Sequence, residues 1–279
     1  MKKLAIIYAR FGPYHMARLR GAAQVFEPRG WKVFGIEVYP DDKSTYAWDK
    51  VANNGSPERL PVFPGASRGD MHKRDIGRKI YSLLEGEKPV AVTSPGWGQS
   101  FPESLAAARW CRRNRRMAIL MSESCRHDHR RFWWREWVKR QRVRRFDAAL
   151  VGGKYHADYV QELGLPPDRV FTGHNVVDNE YFQKGSHQAR KHDHKLRSRF
   201  GLPARYFLAS GRFVAPKNFP RLLYAYRKYL DLAGSNARSL VLCGDGQDRD
   251  HIQATVRYLE LESFVHLPGF IQYEELPVY

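Results

Sequence analysis

The chain has 279 residues, 43% of them hydrophobic and 27% charged, which suits one large domain or two of ordinary size and excludes a disordered chain. The net charge is +18, and the stretch from Trp110 to Asp147 alone carries thirteen Lys/Arg against four Asp/Glu. Such a patch favours a polyanion: nucleic acid, an anionic membrane surface or a phosphorylated substrate.

Leu4 to Tyr8 is a continuous apolar run, as a buried parallel strand would be. Its flanks, Met1-Lys2-Lys3 and a short β-like run, do not make a signal peptide, and no apolar run approaches the about 18–20 residues that span a bilayer. Gly12-Pro13 breaks the strand, and a helix is expected from about His15 to Phe26 with Met16, Leu19, Ala23 and Phe26 on one face. Gly30 stops it, and Trp31 to Tyr39 reads as a second strand, completing a βαβ opening. A loop with one short strand near Leu60 follows, then a helix from Met71 to Leu84. Strands over 90–94, 118–121, 148–151 and 170–172 then alternate with helices over 102–113, 132–145 and 155–163. The alternation predicts a doubly wound α/β domain over residues 1–178.

Residues 179–204 hold few apolar side chains and many Lys, Arg and His, and read as a linker or an exposed crossing segment. A second β/α series occupies 205–279, with strands at Tyr206–Ser210, Leu240–Cys243 and Val265–Leu267 and helices at Phe219–Leu232 and about Arg249–Leu261. Glu274 to Tyr279 reads as a helix cut in its first turns, so the second domain is expected to be incomplete and the sequence to be truncated. Three scattered cysteines, Cys111, Cys125 and Cys243, argue against a disulfide framework or zinc site and for a reducing, cytoplasmic compartment.

The chemistry is richest at Gly211-Arg212-Phe213-Val214-Ala215-Pro216-Lys217-Asn218. A strand runs into this loop and a helix leaves it, with Asn218 as the expected N-cap and Pro220 in the first turn. Arg212 supplies a planar fork and Lys217 a point charge beside free helical N–H groups, a set that suits a pyrophosphate. Gly244-Asp245-Gly246 is a tight turn or a place for close backbone approach, and a lone GxG does not decide between them.

Four segments together resemble the family-4 glycosyltransferases: GRFVAPKNF (211–219), LVLCGDGQDRDHI (240–252), VHLPGFIQYEELPVY (265–279) and HNVVDNEYF (174–182). The resemblance implies the GT-B fold, two Rossmann-like doubly wound α/β domains, and transfer of a sugar from a nucleotide-diphosphate donor. It implies retention of configuration, no metal and no cofactor, the nucleotide-sugar being a substrate. Carried over, Arg212 and Lys217 hold the donor pyrophosphate and meet leaving-group charge, with Gly211 and Asn218 in the same loop. Gly244 and Gly246 admit the nucleotide, and Phe270 and Ile271, after Gly269, line the base. Gly12 and His15 fall on the acceptor side, although the family's usual double glycine is absent. The histidine the family often places after an N-domain strand is also absent; Glu123 takes that place, with His127 as fallback. The family's pair of glutamates lies beyond Tyr279, which leaves room for a non-catalytic relative that only binds.

The His clusters, His127-Asp128-His129 and His187 to His194, lie among Lys and Arg that repel a cation, so no metal site is expected. Arg126 to Arg145 interleaves Phe132, Trp133, Trp134 and Trp137 with nine Lys/Arg. Either the aromatic face packs on the sheet, or it meets an anionic membrane, with the protein peripheral on its inner face. A glycan or lipid-linked acceptor, if anionic, explains the same charge. No nucleic-acid motif accompanies it, so no nucleic acid is expected as partner.

Overall fold

The computed structural model describes residues 1–43, 47–49, 51, 57–98, 100–128 and 130–279. The chain forms two compact units, Met1–Asp178 and Asn179–Tyr279, each around its own sheet.

In the first unit the elements run β1 (Lys2–Tyr8), α1 (Pro13–Phe26), β2 (Trp31–Glu37), β3 (Arg59–Pro61), α2 (Lys73–Glu87), β4 (Ala91–Pro95), α3 (Pro102–Arg113) and β5 (Met117–Ser122). Then come α4 (Trp133–Val143), β6 (Ala148–Val151), α5 (Lys154–Glu162) and β7 (Val170–Thr172). The strands pair in parallel in the order β3-β2-β1-β4-β5-β6-β7. Side chains alternate across the sheet. Leu4, Ile6 and Tyr8 of β1 meet Met16, Leu19 and Ala23 of α1. Ala5 and Ile7 meet the layer of Ile76, Ile80 and Leu84 on α2 and of Trp110 on α3. Burial on both faces is why the strand reads as an unbroken apolar run. Helix α1 starts earlier than expected, because Pro13 takes its first position with Gly12 as N-cap.

A buried carboxylate interrupts the apolar pattern of β2. Glu37, at the end of β2, accepts the Phe11 N–H at 2.7 Å through Oε1 and faces the Arg59 guanidinium at 3.2 Å through Oε2. Both side chains are nearly inaccessible, a position a carboxylate holds only when paired. The pair pins the loop between β1 and α1.

The second unit runs α6 (Asn179–Lys191), α7 (Asp193–Phe200), β8 (Tyr206–Ser210), α8 (Phe219–Ala233), β9 (Ser239–Cys243), α9 (Arg249–Tyr258) and β10 (Val265–Gly269). Its parallel sheet has the order β10-β9-β8. Leu240 and Leu242 face Leu223, Leu230, Ile252 and Val256 of α8 and α9, while Val241 and Cys243 point to the other face.

One expectation changes here. Residues 179–204 are not an extended linker: most of them form α6 and α7, and they belong to the second unit. Tyr181 of α6 stacks on Tyr273 at 4.7 Å and Phe182 packs edge-on against the same ring at 5.4 Å, so aromatic contacts anchor a helix of largely polar composition. The final segment is a 3-10 turn over Leu276–Val278, with Pro277 in its first turn.

Gly244 has φ +152° and Gly246 φ +153°; a Cβ on Gly244 would lie 1.9 Å from the Gly211 carbonyl oxygen and one on Gly246 2.5 Å from that of Phe213. Gly244→Ala is therefore expected to destabilise the second unit by about 3 kcal/mol or more, since backbone must move. By contrast a Cβ on Gly21, mid-helix in α1, meets nothing within 4 Å. Gly21→Ala should stabilise by roughly 0.5–1 kcal/mol. Urea titrations of the two variants, followed by circular dichroism, should move in opposite directions.

Candidate functional site

In an open parallel sheet the strands' carboxyl ends carry the loops and helix starts, so polar groups that bind ligands converge there. In the second unit the three singled-out loops lie along that edge: 211–218 after β8, 244–248 after β9 and 270–271 after β10. They are tied to one another by backbone. Gly211 N–H donates to Cys243 O (3.0 Å), Phe213 N–H to Asp245 O (2.9 Å), Asp248 N–H to Phe213 O (3.0 Å) and Gly244 N–H to Gly269 O (2.8 Å). Phe213 is buried and packs edge-on against Phe219 at 5.1 Å, anchoring the loop beneath. Arg212 and Lys217 point outward and are exposed. The Lys217 stem lies across Gly211, with Cδ 4.0 Å from where a Cβ there would be.

The cap differs from the expected one. Asn218 adopts φ 51°, ψ 44° and makes no side-chain capping bond, because it closes the 3-10 turn Ala215–Lys217 before α8 begins. Asn tolerates that left-handed geometry. Pro220 does fall in the first turn of α8. The openings at Gly244 and Gly246 are filled by the 211–213 backbone, so it is the neighbouring loop that these glycines admit. Gly269 has φ +88°, and Phe270 is half-buried beside it. Ile271, expected to line a base, is instead buried against Val241 and Cys243 in the core.

In the first unit a polar cluster occupies the carboxyl ends of β1, β5 and β7. Gly12 N–H donates to His15 Nδ1 at 3.3 Å, and the His15 ring packs on Tyr8 at 4.3 Å. Arg18, one turn further along α1, donates to the Val176 carbonyl and to Asn175 Oδ1, both at 3.2 Å. Burial, then the Arg18 charge, then His174, push His15 down to about 3. Burial and then Arg18 push His174 down to about 4. Both imidazoles are thus neutral near pH 7. His174 Nε2 lies 3.8 Å from Glu123 Oε1, too long for a hydrogen bond and no ion pair while the ring is neutral. Glu123 is half-exposed there and does not pair with Arg126, which holds Glu162 at 2.7 Å.

Sequence reasoning singled out Gly12, His15 and Glu123 as candidates but gave no role to Arg18, His174 or Glu37. His174 stood in a quoted segment, yet only the fold brings it under Glu123. His127 sits in an exposed turn, edge-on to Tyr155 at 6.3 Å, outside the cluster. His129 lies outside the described residues. Among the described residues no group of three or more His, Cys, Asp or Glu gathers as a metal site would, and no helix is long and apolar enough to cross a membrane.

No protein-family profile matches the chain, and no curated protein matches it by sequence. Solved structures do match. A glycosyltransferase from Rickettsia africae ESF-5 superposes with a TM-score of 0.68 at 10% identity, over 100% of this chain and 70% of that one. The Anabaena protein Alr3699/HepE, in complex with UDP, gives 0.65 at 14% identity, over 100% and 71%. A UDP-N-acetylglucosamine 2-epimerase from Rickettsia bellii gives 0.61 at 17% identity, over 99% and 71%. At such identities the likeness is one of fold alone, a Rossmann-like parallel α/β fold.

Proposed function

We propose that this chain handles a nucleotide-diphosphate sugar and transfers its sugar to an acceptor, as the family-4 glycosyltransferases do. The observation that carries this reading is the shelf of backbone-locked loops at the second sheet's carboxyl edge, with Arg212 and Lys217 projecting from it. Cations there meet the charge that builds on a departing nucleoside diphosphate. Gly269 and Phe270, on the adjoining loop, stand where a base is held in this reading. On the first unit, Glu123 is the polar group for the acceptor, either a glycan or a lipid-linked sugar. His174, 3.8 Å from it, is a neutral imidazole and so places no competing positive charge beside Glu123. The reading implies retention of configuration without a metal ion or cofactor.

A second reading, epimerisation of the sugar on its nucleotide, is favoured by one observation: several structures of like fold are UDP-N-acetylglucosamine 2-epimerases. The two part at the product. Transfer releases nucleoside diphosphate in step with a glycosylated acceptor, whereas epimerisation leaves the nucleotide attached and changes one sugar carbon. Retained nucleotide binding with neither product would leave a binding protein.

The common premise is tested with a thermal-shift panel of UDP, GDP, ADP and dTDP. Arg212→Ala and Lys217→Ala are each expected to weaken the best nucleotide by roughly 10- to 100-fold, about 1.5–3 kcal/mol, as for lost charge-assisted hydrogen bonds. Unchanged binding in both variants would remove the proposal.

The acceptor-side cluster makes its own prediction. His174 titrates near 4 in the fold against 6.5 unfolded, so the unfolded chain binds more protons between those values. Stability is fully present above about pH 6.5 and is lost as the pH falls toward 4, by about 2 kcal/mol from pH 7 to 5 for His174 alone. Glu103, pushed up to about 7 by burial, works in the opposite direction, so wild type and variant must be compared. Denaturant titrations of His174→Gln at pH 7 and 5 should show a smaller acid loss than wild type; equal losses would mean the ring is not held neutral.

A further inference from the structure

Helix α4 is turned the other way from what its pattern of apolar residues suggests. Its polar side faces in: Tyr159, buried on α5, donates its hydroxyl to Glu136 Oε2 at 2.7 Å and accepts from Arg131 at 2.8 Å and Lys139 at 2.9 Å. Lys139 also pairs with Glu136 at 2.9 Å. Of the helix's own residues only Val143 is buried. The aromatic side faces out, with Trp133 84% exposed, Trp137 60%, Trp134 49% and the preceding Phe132 41%. The reading in which this face packs on the sheet is therefore overturned.

The outward strip is set in positive charge. Arg130 and Arg135 lie over the Phe132 ring at 5.8 and 5.1 Å, and Arg135 over Trp134 at 5.0 Å. Arg140, Arg144 and Arg145 continue the exposed cationic surface toward the helix end and beyond it. Exposed indoles set among guanidinium groups match the boundary between anionic headgroups and acyl chains. At 11 residues the helix is about 16 Å long, enough to lie in that boundary and too short to cross it.

We propose that α4 docks the protein on an anionic lipid surface, with Trp133 and Trp137 entering the headgroup layer and the arginines on anionic lipid. The inference goes beyond nucleotide handling and stands without it. It also places the helix that follows the Glu123 loop against the phase in which a lipid-linked acceptor would reside.

The test is co-sedimentation of the full chain with phosphatidylcholine vesicles, with and without phosphatidylglycerol. Wild type should bind the anionic vesicles at least tenfold more tightly than neutral ones, with a blue shift of tryptophan emission and quenching by brominated acyl chains. Trp133→Ala/Trp137→Ala should lose at least tenfold in vesicle affinity while keeping the wild-type unfolding midpoint and nucleotide-induced thermal shift. The proposal is overturned by equal binding of the double variant, by equal affinity for neutral vesicles, or by no vesicle binding. Loss of binding to random-sequence DNA in that variant, with vesicle binding unaffected, would assign the strip to nucleic acid instead.

Discussion

Backbone packed directly on backbone builds the carboxyl edge of the second sheet. The loops after β8 and β9 approach so closely that no side chain fits at Gly244 or Gly246. Four main-chain hydrogen bonds join them to each other and to β10. A shelf made this way has few soft torsions left. The backbone loses little further entropy when a ligand arrives, which leaves the rotamers of the exposed side chains as the ordering cost. Arg212 and Lys217 stand on that shelf, at opposite ends of a short loop anchored by the buried Phe213 beside Arg212. Asn218 then turns the chain through a left-handed residue into α8, so that one position ends a 3-10 turn and begins a helix.

The first unit solves the opposite problem, how to keep polar groups at a sheet edge that is largely buried. A single cation, Arg18, sits among two imidazoles, and its charge joins burial in suppressing their protonation. Its guanidinium is held by acceptors more than 150 residues away in sequence, so the cluster exists only when β1, β5 and β7 are assembled. Glu37 plays a parallel part for the loop ahead of α1. The Phe11 N–H and Arg59 together justify a carboxylate where an apolar residue would otherwise be expected.

What could be read from the sequence follows this division. Strands such as Leu4 to Tyr8 and Leu240 to Cys243 were legible because burial on both faces leaves an unbroken apolar run. The cationic loop was legible because strand, loop and helix start are local. Helices α6 and α7 were not, since their docking rests on contacts such as Tyr181 with Tyr273, about ninety residues apart, within a polar composition. Ile271 could not be placed, because nothing local says which of two neighbouring apolar residues turns into the core. His174 was quoted for its segment and passed over as a site residue, because its neighbour Glu123 comes from a different strand.

Helix α4 shows where periodicity misleads. Trp134, Trp137 and Val138 share a face, and an apolar face is ordinarily the buried one. Here Tyr159 decides, because a buried hydroxyl needs partners and Glu136, Arg131 and Lys139 supply them. That network does not explain the arrangement energetically. Burying one large apolar side chain stabilises by roughly 1.5–3 kcal/mol, while an ion-paired network of similar size contributes about as much as, or less than, apolar packing in its place. Folding of the isolated chain therefore gives no reason to leave two indoles in water. The docking surface proposed above would, because the apolar area withheld from the core would then stabilise attachment in place of the fold.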